Sequence, residues 1–197
     1  MRATIRNPWA ASLLLGALMA GFLVTPALAA ARYQPDGLIR MATAGVLGYP
    51  PYTYHGPWLG YHIYNATGAH QSAVYVSSGS TGPSILTFGI SIQNDGSAAD
   101  RFRVKATGAP TAWVVTYSRG TTNITSAVVA GTYRTPSLAP GATYLISARI
   151  TLPESSSSSS NSNLSGNVAR LVTIRSVANS TKVDAVKFGF LWKPNGG

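Results

Sequence analysis

The amino-acid sequence predicts an all-β protein, built as an antiparallel β-sandwich of about seven to eight strands. Three observations predict this class. Short segments alternate apolar and polar residues with a period of two, turn-forming Gly, Pro, Asn and Asp separate them, and no long window beyond the leader has the apolar spacing of a helix. The chain has 197 residues and no cysteine, so a packed core must offset the conformational entropy of the chain without disulfides.

The first 29 residues have the layout of a secretory signal peptide. Arg2 and Arg6 supply a positive start, residues 10–25 carry no charge, and an Ala-x-Ala cleavage site ends at Ala29. The alternative, an uncleaved membrane anchor, is less favoured because the apolar run is shorter than the roughly 20 residues that span a bilayer. We therefore expect a secreted or extracellular chain that can attach to the cell surface, with no transmembrane segment after cleavage.

The exported chain is predicted to consist of an N-terminal extension, 30–72, a sandwich, 73–192, and a disordered tail, 193–197. The extension contains an aromatic, Pro- and Gly-rich loop that we expect to pack on the sandwich. The polyserine tract, 155–163, is too polar to pack and is predicted to be a flexible loop between two strands of one domain. The predicted strands are 73–77, 85–93, 102–106, 112–118, 124–130, 143–152, 168–177 and 182–191, with an edge strand at 38–46.

The segment 85–93 shows the clearest alternation. Apolar side chains occupy every even position from 86 to 92, which places them on one face of a strand. Asn94, Asp95 and Gly96 follow as turn residues of the hairpin type. The alternation then resumes over 101–106, so the sequence predicts a hairpin at this point.

Positive charge is the second compositional feature: 15 Lys and Arg against 5 Asp and Glu give a formal net charge of +10. Arg101, Arg103 and Lys105 are predicted to share the outer face of one strand, and Arg149 to face outward on another. Such a surface can bind an extracellular glycan or an anionic cell-envelope polymer, or it can keep the sheet soluble and protect its edges. No nucleic-acid motif is present, and no nucleic acid is expected as a partner.

A series of strand and turn motifs resembles a known family. The motifs are, in order, the strand and turn 87–96, Asp100 with Phe102 and Val104, the strand 113–117, Leu-Ala-Pro-Gly at 138–141, the segment 150–153 and Asp-Ala-Val at 184–186. Together they resemble the immunoglobulin-like domains of bacterial secreted proteins, of the CARDB type and the related accessory modules of glycoside hydrolases. The resemblance covers residues 33–192 and implies an immunoglobulin-like sandwich with an accessory, adhesive or structural role.

The segment 49–64 is the most unusual in the chain, because its aromatic residues lie among prolines and glycines. Rigid aromatic faces on a loop can stack on sugar rings or anchor a protein partner. They can equally serve to attach an irregular segment to the sandwich, and both interpretations stay open. If this loop binds a ligand, the expected site residues are Tyr52, Tyr54, Trp58, Tyr61 and Tyr64.

Neither a metal site nor a cofactor is predicted. His55, His62 and His70 are close in sequence, but their spacing matches no established zinc signature and the nearest acids lie far off in sequence. The Asn-Asp-Gly turn and the nearby Asp100 offer too few oxygen ligands to predict a calcium site.

Catalysis is not predicted either. Nucleophile-elbow, zinc-protease and phosphate-loop motifs are lacking in the sequence, and a facing carboxylate pair such as Asp100 with Asp184 would be a coincidence among so few acids. The expected function is that of a secreted, non-enzymatic binding or adhesion module at the cell surface or in the extracellular matrix, with a glycan, an anionic polymer or another surface protein as its partner. The alternative is a purely structural subunit that self-associates through its sheet edges and has no ligand site.

Overall fold

Two β-sheets make up the computed structural model of the protein, which describes residues 30–45, 52–53, 56–78, 85–107, 114–151 and 168–193. The predicted signal peptide and the polyserine loop lie outside these ranges. The elements are β1 Pro35–Gly45, β2 Tyr52–Thr53, β3 Ser72–Ser78, β4 Ile85–Asn94, β5 Phe102–Ala106, β6 Val114–Arg119, β7 Thr122–Asn123, α1 Thr125–Ala130, β8 Tyr133–Arg134, β9 Thr143–Thr151, β10 Val168–Ser176 and β11 Val183–Lys193.

The strands are ordered β2-β1-β4-β9-β6-β7 in the six-stranded sheet and β3-β11-β10-β5-β8 in the five-stranded sheet. Neighbouring strands are antiparallel except β3 and β11, which run parallel. The prediction of an all-β, sandwich-like fold is confirmed. Within the parts of the chain that the structure describes, no helix is long and apolar enough to cross a membrane.

The core lies between the inner faces of the two sheets, where three aromatic rings meet. The Phe88 and Phe188 ring centroids are 5.2 Å apart, and Tyr117 approaches Phe188 edge-on at 6.2 Å. Phe88 and Tyr117 belong to the six-stranded sheet and Phe188 to the five-stranded one, so these contacts join the sheets directly. The even positions 86 to 92 of β4 are fully buried, as the alternation predicts.

The prediction of a hairpin at Asn94–Gly96 is wrong, because β4 and β5 belong to different sheets. Asn94 is fully buried, and its side-chain amide donates to the carbonyls of Ala98 and Leu138 at 2.9 and 2.7 Å. These bonds hold the chain in a crossing between the sheets. Gly96 is required there, since a Cβ at this position would lie 2.3 Å from the Arg32 carbonyl oxygen.

The predicted strand 124–130 is also wrong, because Thr125–Ala130 forms the helix α1. Its β-branched residues favour a strand locally, but tertiary contacts decide the conformation. Ile124 N–H donates to the Tyr117 carbonyl at 2.9 Å, and Val128 is buried in the core. Gly131, with φ of +69°, ends the helix in the left-handed conformation that favours glycine.

The sandwich begins before residue 73, since β1 is an integral strand rather than part of an extension that packs on the domain. β1 pairs with β4 along its length and with the short β2 at Thr43 and Ala44. β1 thus begins three residues before the predicted edge strand 38–46, and the short β2 covers its outer edge only at Thr43 and Ala44. At the other end of the domain, β11 continues through Lys193, the first residue of the segment expected to be a tail.

We predict that Phe188→Ala lowers the free energy of unfolding by about 3–5 kcal/mol, because it removes a fully buried ring that contacts both sheets. Val114→Ala is the matched control, since this side chain is 60% exposed and should change stability by less than about 0.5 kcal/mol. Urea denaturation measures both. Similar losses in the two variants would contradict the assignment of Phe188 to the core.

Candidate functional site

Three arginines stand side by side on the outer face of the five-stranded sheet. Arg103 on β5 is the register partner of Arg134 on β8 and of Arg175 on β10. Directly opposed residues have Cβ atoms about 4.5–5.5 Å apart, and all three side chains are exposed. The row therefore places three positive charges next to one another across three strands.

Arg101 and Lys105 are also exposed, and they lie two residues before and after Arg103 on the same face. We call the five residues Arg101, Arg103, Lys105, Arg134 and Arg175 the cationic face. Among the described residues no carboxylate lies within ion-pair distance of any of them, and the one ion pair found joins His62 to Asp95. Like charges placed directly opposite each other in a sheet are destabilising, so this face is suited to an anionic ligand.

The structure divides the basic surface that the sequence predicts. Arg101, Arg103 and Lys105 share one face as expected, but Arg149 lies on β9 of the other sheet, between Thr87 and Thr116. The pairing of strands places two further arginines, Arg134 and Arg175, beside Arg103. Nothing in the sequence pattern marks these two, because their placement depends on which strands pair and in which register.

Within the aromatic segment, Trp58 and Leu59 pack against the sandwich. Leu59 exchanges backbone hydrogen bonds with Ile39 at 3.0 and 2.9 Å, which fixes the chain along β1. Next to it, the half-buried Trp58 lies against Gly89, where a Cβ would come within 3.2 Å of Trp58 Cη2. The Arg40 guanidinium lies 4.4 Å from the Trp58 ring centroid. Trp58 therefore covers the outer face of the six-stranded sheet.

Tyr61 and Tyr64 remain accessible, with exposed fractions of 57% and 43%. Tyr61 contacts the His62 ring edge-on, with centroids 4.1 Å apart. The backbone of Tyr52, in β2, pairs with Ala44 of β1. The side chain of Tyr52 and the whole of Tyr54 lie outside the residues that the structure describes. Of the five predicted aromatic site residues, Tyr61 and Tyr64 are therefore the two whose side chains the structure describes as exposed.

His62, Tyr64 and Asp95 form a triangle of short contacts. His62 Nδ1 lies 2.9 Å from both Asp95 Oδ2 and Tyr64 Oη, and the Tyr64 hydroxyl donates to Asp95 Oδ2 at 2.6 Å. As the sequence indicates, Asp95 lies far from His62 along the chain, but the fold brings the two residues together at one end of the sandwich. Burial raises the pKa of Tyr64, and the hydrogen bond to Asp95 adds to this rise.

Asp36 lies beside this triangle and is fully buried. Its Oδ2 accepts a hydrogen bond from His62 N–H at 3.0 Å, while Oδ1 has no hydrogen-bond partner among the described residues. Burial raises the pKa of Asp36 to about 6; the His62 amide opposes this rise, and the carboxylates of Asp95 and Asp184 add to it. The three ligand-type residues Asp36, His62 and Asp95 each offer an atom within 4.8 Å of the other two.

A buried carboxylate, Asp184, holds the segment that carries His62 and Tyr64. Its Oδ2 accepts from Gly37 N–H at 2.6 Å, and its Oδ1 accepts from Asn65 N–H at 2.9 Å. The amide of the buried Gln71 adds a bond of 3.1 Å to Oδ2 and also donates to the Ile63 carbonyl. Burial raises the pKa of Asp184, although the backbone hydrogen bonds act in the opposite direction.

Asp100 and Asp184, the pair considered for hydrolysis, are both buried. Asp100 accepts from Arg101 N–H at 2.7 Å, from Ala178 N–H at 3.2 Å and from the Ser176 hydroxyl. Each of the two carboxylates therefore accepts several hydrogen bonds within the fold. This geometry is that of structural acceptors.

No protein-family model matches the chain, and neither does any curated protein. Among solved structures, the chain is similar to the secreted serine protease VesC from Vibrio cholerae, with a TM-score of 0.37 and 14% identity, over 62% of this chain and 21% of the protease. It is also similar to a FixG-related protein from Vibrio parahaemolyticus, with a TM-score of 0.34 and 11% identity, over 55% of this chain and 79% of that one. The chain thus spans about a fifth of the protease, and similarities this low carry no functional information.

We predict that Asp184→Asn lowers the free energy of unfolding by about 2–4 kcal/mol, because an amide NH2 would then face backbone donors that now point at a carboxylate oxygen. Asp36→Asn is the matched control. It keeps an oxygen for the single bond from His62 N–H, so it should leave stability unchanged or raise it. Urea denaturation in buffer with a chelator compares them. Equal losses of unfolding free energy in the two variants would contradict the prediction, because Asp184 would then contribute no more to stability than Asp36.

Proposed function

We propose that the protein is an exported, non-enzymatic binding module that recognises an anionic polymer at the cell surface or in the extracellular matrix. The observation that carries this proposal is the cationic face, in which five exposed bases meet no carboxylate among the described residues. The four aspartates of the described chain act as hydrogen-bond acceptors inside the fold or at its end.

The spacing of the cationic face favours a polymer over a small anion. Adjacent strands lie about 4.8 Å apart, so three arginines across three strands present charge over roughly 10 Å. Guanidinium groups bind carboxylate, sulfate or phosphate through paired hydrogen bonds. A linear chain with repeated anionic groups can engage Arg134, Arg103 and Arg175 together, and counterion release then favours binding at low salt.

The strand order supports an immunoglobulin-like classification, which we include in the proposal. The series β1-β4-β9-β6 and β11-β10-β5 repeat the arrangement of the four- and three-stranded sheets of that fold. The short β8, which pairs with β5 although it follows β6 in sequence, is a departure from the seven-strand pattern. The classification agrees with the turn motifs of secreted immunoglobulin-like modules and with the signal-peptide layout of the first 29 residues.

The aromatic segment has a smaller part in this proposal. Tyr61 is the exposed ring that can stack on a sugar unit, whereas Trp58 already covers Gly89 and Arg40. Tyr64 is exposed, but its hydroxyl is bonded to Asp95. Any glycan stacking on this segment would thus depend on Tyr61 first.

A second candidate function is self-association through a sheet edge, which β3 favours. This seven-residue strand ends the five-stranded sheet, and Val74 and Val76 on its outer face are 45% and 50% exposed. An apolar edge strand can pair with another copy of the chain. A structural subunit of this kind would need no ligand.

For the polymer-binding proposal, we predict that the double variant Arg103→Gln, Arg134→Gln binds heparin roughly 30-fold more weakly at low salt, given about 1 kcal/mol for each cation at an anionic surface. The charge-matched control is Arg119→Gln, Arg149→Gln, on the six-stranded sheet, which should stay within about threefold of wild type. Titration calorimetry measures both, with neutral dextran as the uncharged comparison. Equal weakening by the two double variants would mean that net charge, not the cationic face, determines binding.

For the second candidate, sedimentation analysis of wild type and Val76→Lys is decisive. Self-association through β3 predicts an oligomer that Val76→Lys dissociates, since a lysine at an exposed edge opposes strand pairing. The polymer-binding proposal predicts that Val76→Lys leaves heparin binding within about threefold of wild type, because Val76 lies outside the cationic face. A monomeric wild type would contradict self-association through β3, and loss of heparin binding in Val76→Lys would contradict the assignment of binding to the cationic face.

A further inference from the structure

We propose that Asp36, His62 and Asp95 form a binding site for a divalent transition-metal ion of the Zn²⁺ or Mn²⁺ type. The three residues come from the start of β1, from the segment between Leu59 and β3, and from the turn after β4. One potential ligand atom of each lies within 4.8 Å of the other two. Two ligands of one such ion, each about 2.0–2.2 Å from the metal, are separated by about 3–4 Å, so small side-chain adjustments complete the geometry.

The state of Asp36 is the independent observation that points to a cation. The residue is fully buried, yet no donor in the described part of the chain reaches Oδ1, while Oδ2 accepts from His62 N–H at 3.0 Å. A buried carboxylate oxygen without a partner is costly, and a metal ion at this place would supply the missing interaction. The site is therefore incomplete without an added group.

Charge around the cluster favours the same ligand. The carboxylates of Asp95 and Asp184 both act electrostatically on Asp36, so negative charge accumulates at this end of the domain. The Arg32 guanidinium donates a hydrogen bond of 2.8 Å to the backbone carbonyl oxygen of Asp95, not to its carboxylate. A divalent cation would offset the repulsion between Asp36 and Asp95.

The donor set determines the class of ion. An imidazole nitrogen with two carboxylates suits Zn²⁺ or Mn²⁺, whereas Ca²⁺ prefers oxygen ligands alone. The His62 side chain is 57% exposed, so an ion can enter from solvent and water can fill its remaining positions. The Tyr64 hydroxyl, bonded to Asp95 Oδ2 at 2.6 Å, would orient that carboxylate from outside the ligand set. This site is separate from the cationic face and does not depend on its function.

The test is the thermal midpoint of the purified protein with Zn²⁺, with Ca²⁺ and with chelator. At a concentration about one hundred times its Kd, Zn²⁺ should raise the midpoint by roughly 5–10 °C, and Ca²⁺ should raise it far less. His62→Asn and Asp36→Asn should abolish the Zn²⁺ effect and still fold in chelator. Asparagine tolerates the left-handed conformation at residue 62, where φ is +56°, and it is isosteric with aspartate at residue 36.

His70→Asn is the matched control, since His70 is also exposed and left-handed, with φ of +60°, but lies outside the cluster. It should keep the full Zn²⁺ response. Absence of a Zn²⁺ effect in wild type, or an effect that survives in His62→Asn, would overturn the proposal. Co²⁺ gives a second readout, because its visible absorption bands should appear in wild type and His70→Asn and be lost in His62→Asn.

Discussion

Two buried aspartates accept hydrogen bonds from backbone amides and so connect distant parts of this chain. Asp184, on a strand of the five-stranded sheet, accepts from Gly37 in the other sheet and from Asn65 in the irregular segment. Asp100 accepts from the backbone N–H groups of Arg101 and Ala178, and so links the start of β5 to the end of β10 in the five-stranded sheet. In a chain without disulfides, these bonds join the sheets and the 56–71 segment at one end of the domain.

This use of aspartate has a consequence for the distribution of charge. The acids of the described chain are internal or lie at one end, so they cannot neutralise the bases on the outer face of the five-stranded sheet. The cross-strand row of Arg134, Arg103 and Arg175 then persists although like charges repel. Because like charges that face each other lower stability, this row is the feature on which we base the proposed function.

The sequence was sufficient for elements whose pattern is local. Alternation located β4 and β9 to within one residue of their ends, because an amphipathic strand has one register that buries its apolar side chains. Alternation also placed Arg103 outward. It could not reveal that Arg134 and Arg175 flank Arg103, since pairing between distant strands leaves no local signal.

The same limitation explains the failures. Residues 125–130 favour a strand locally and become a helix through the bond from Ile124 to Tyr117 and the burial of Val128. The Asn-Asp-Gly sequence is typical of hairpins, but the buried Asn94 amide directs the chain into the other sheet. Asp36 and Asp95 meet His62 only because the Asp184 and Gln71 bonds fold the segment between them back onto the sandwich.

We propose that the outer face of the five-stranded sheet is the binding surface. This claim can be tested by titrating the isotope-labelled protein with a short heparin oligosaccharide and following the arginine Nε–H resonances. Shifts should concentrate on Arg103, Arg134 and Arg175, whose side chains are adjacent and unneutralised among the described residues. Shifts of equal size at Arg119 and Arg149, on the opposite sheet, or shifts confined to the segment around Tyr61, would contradict the claim.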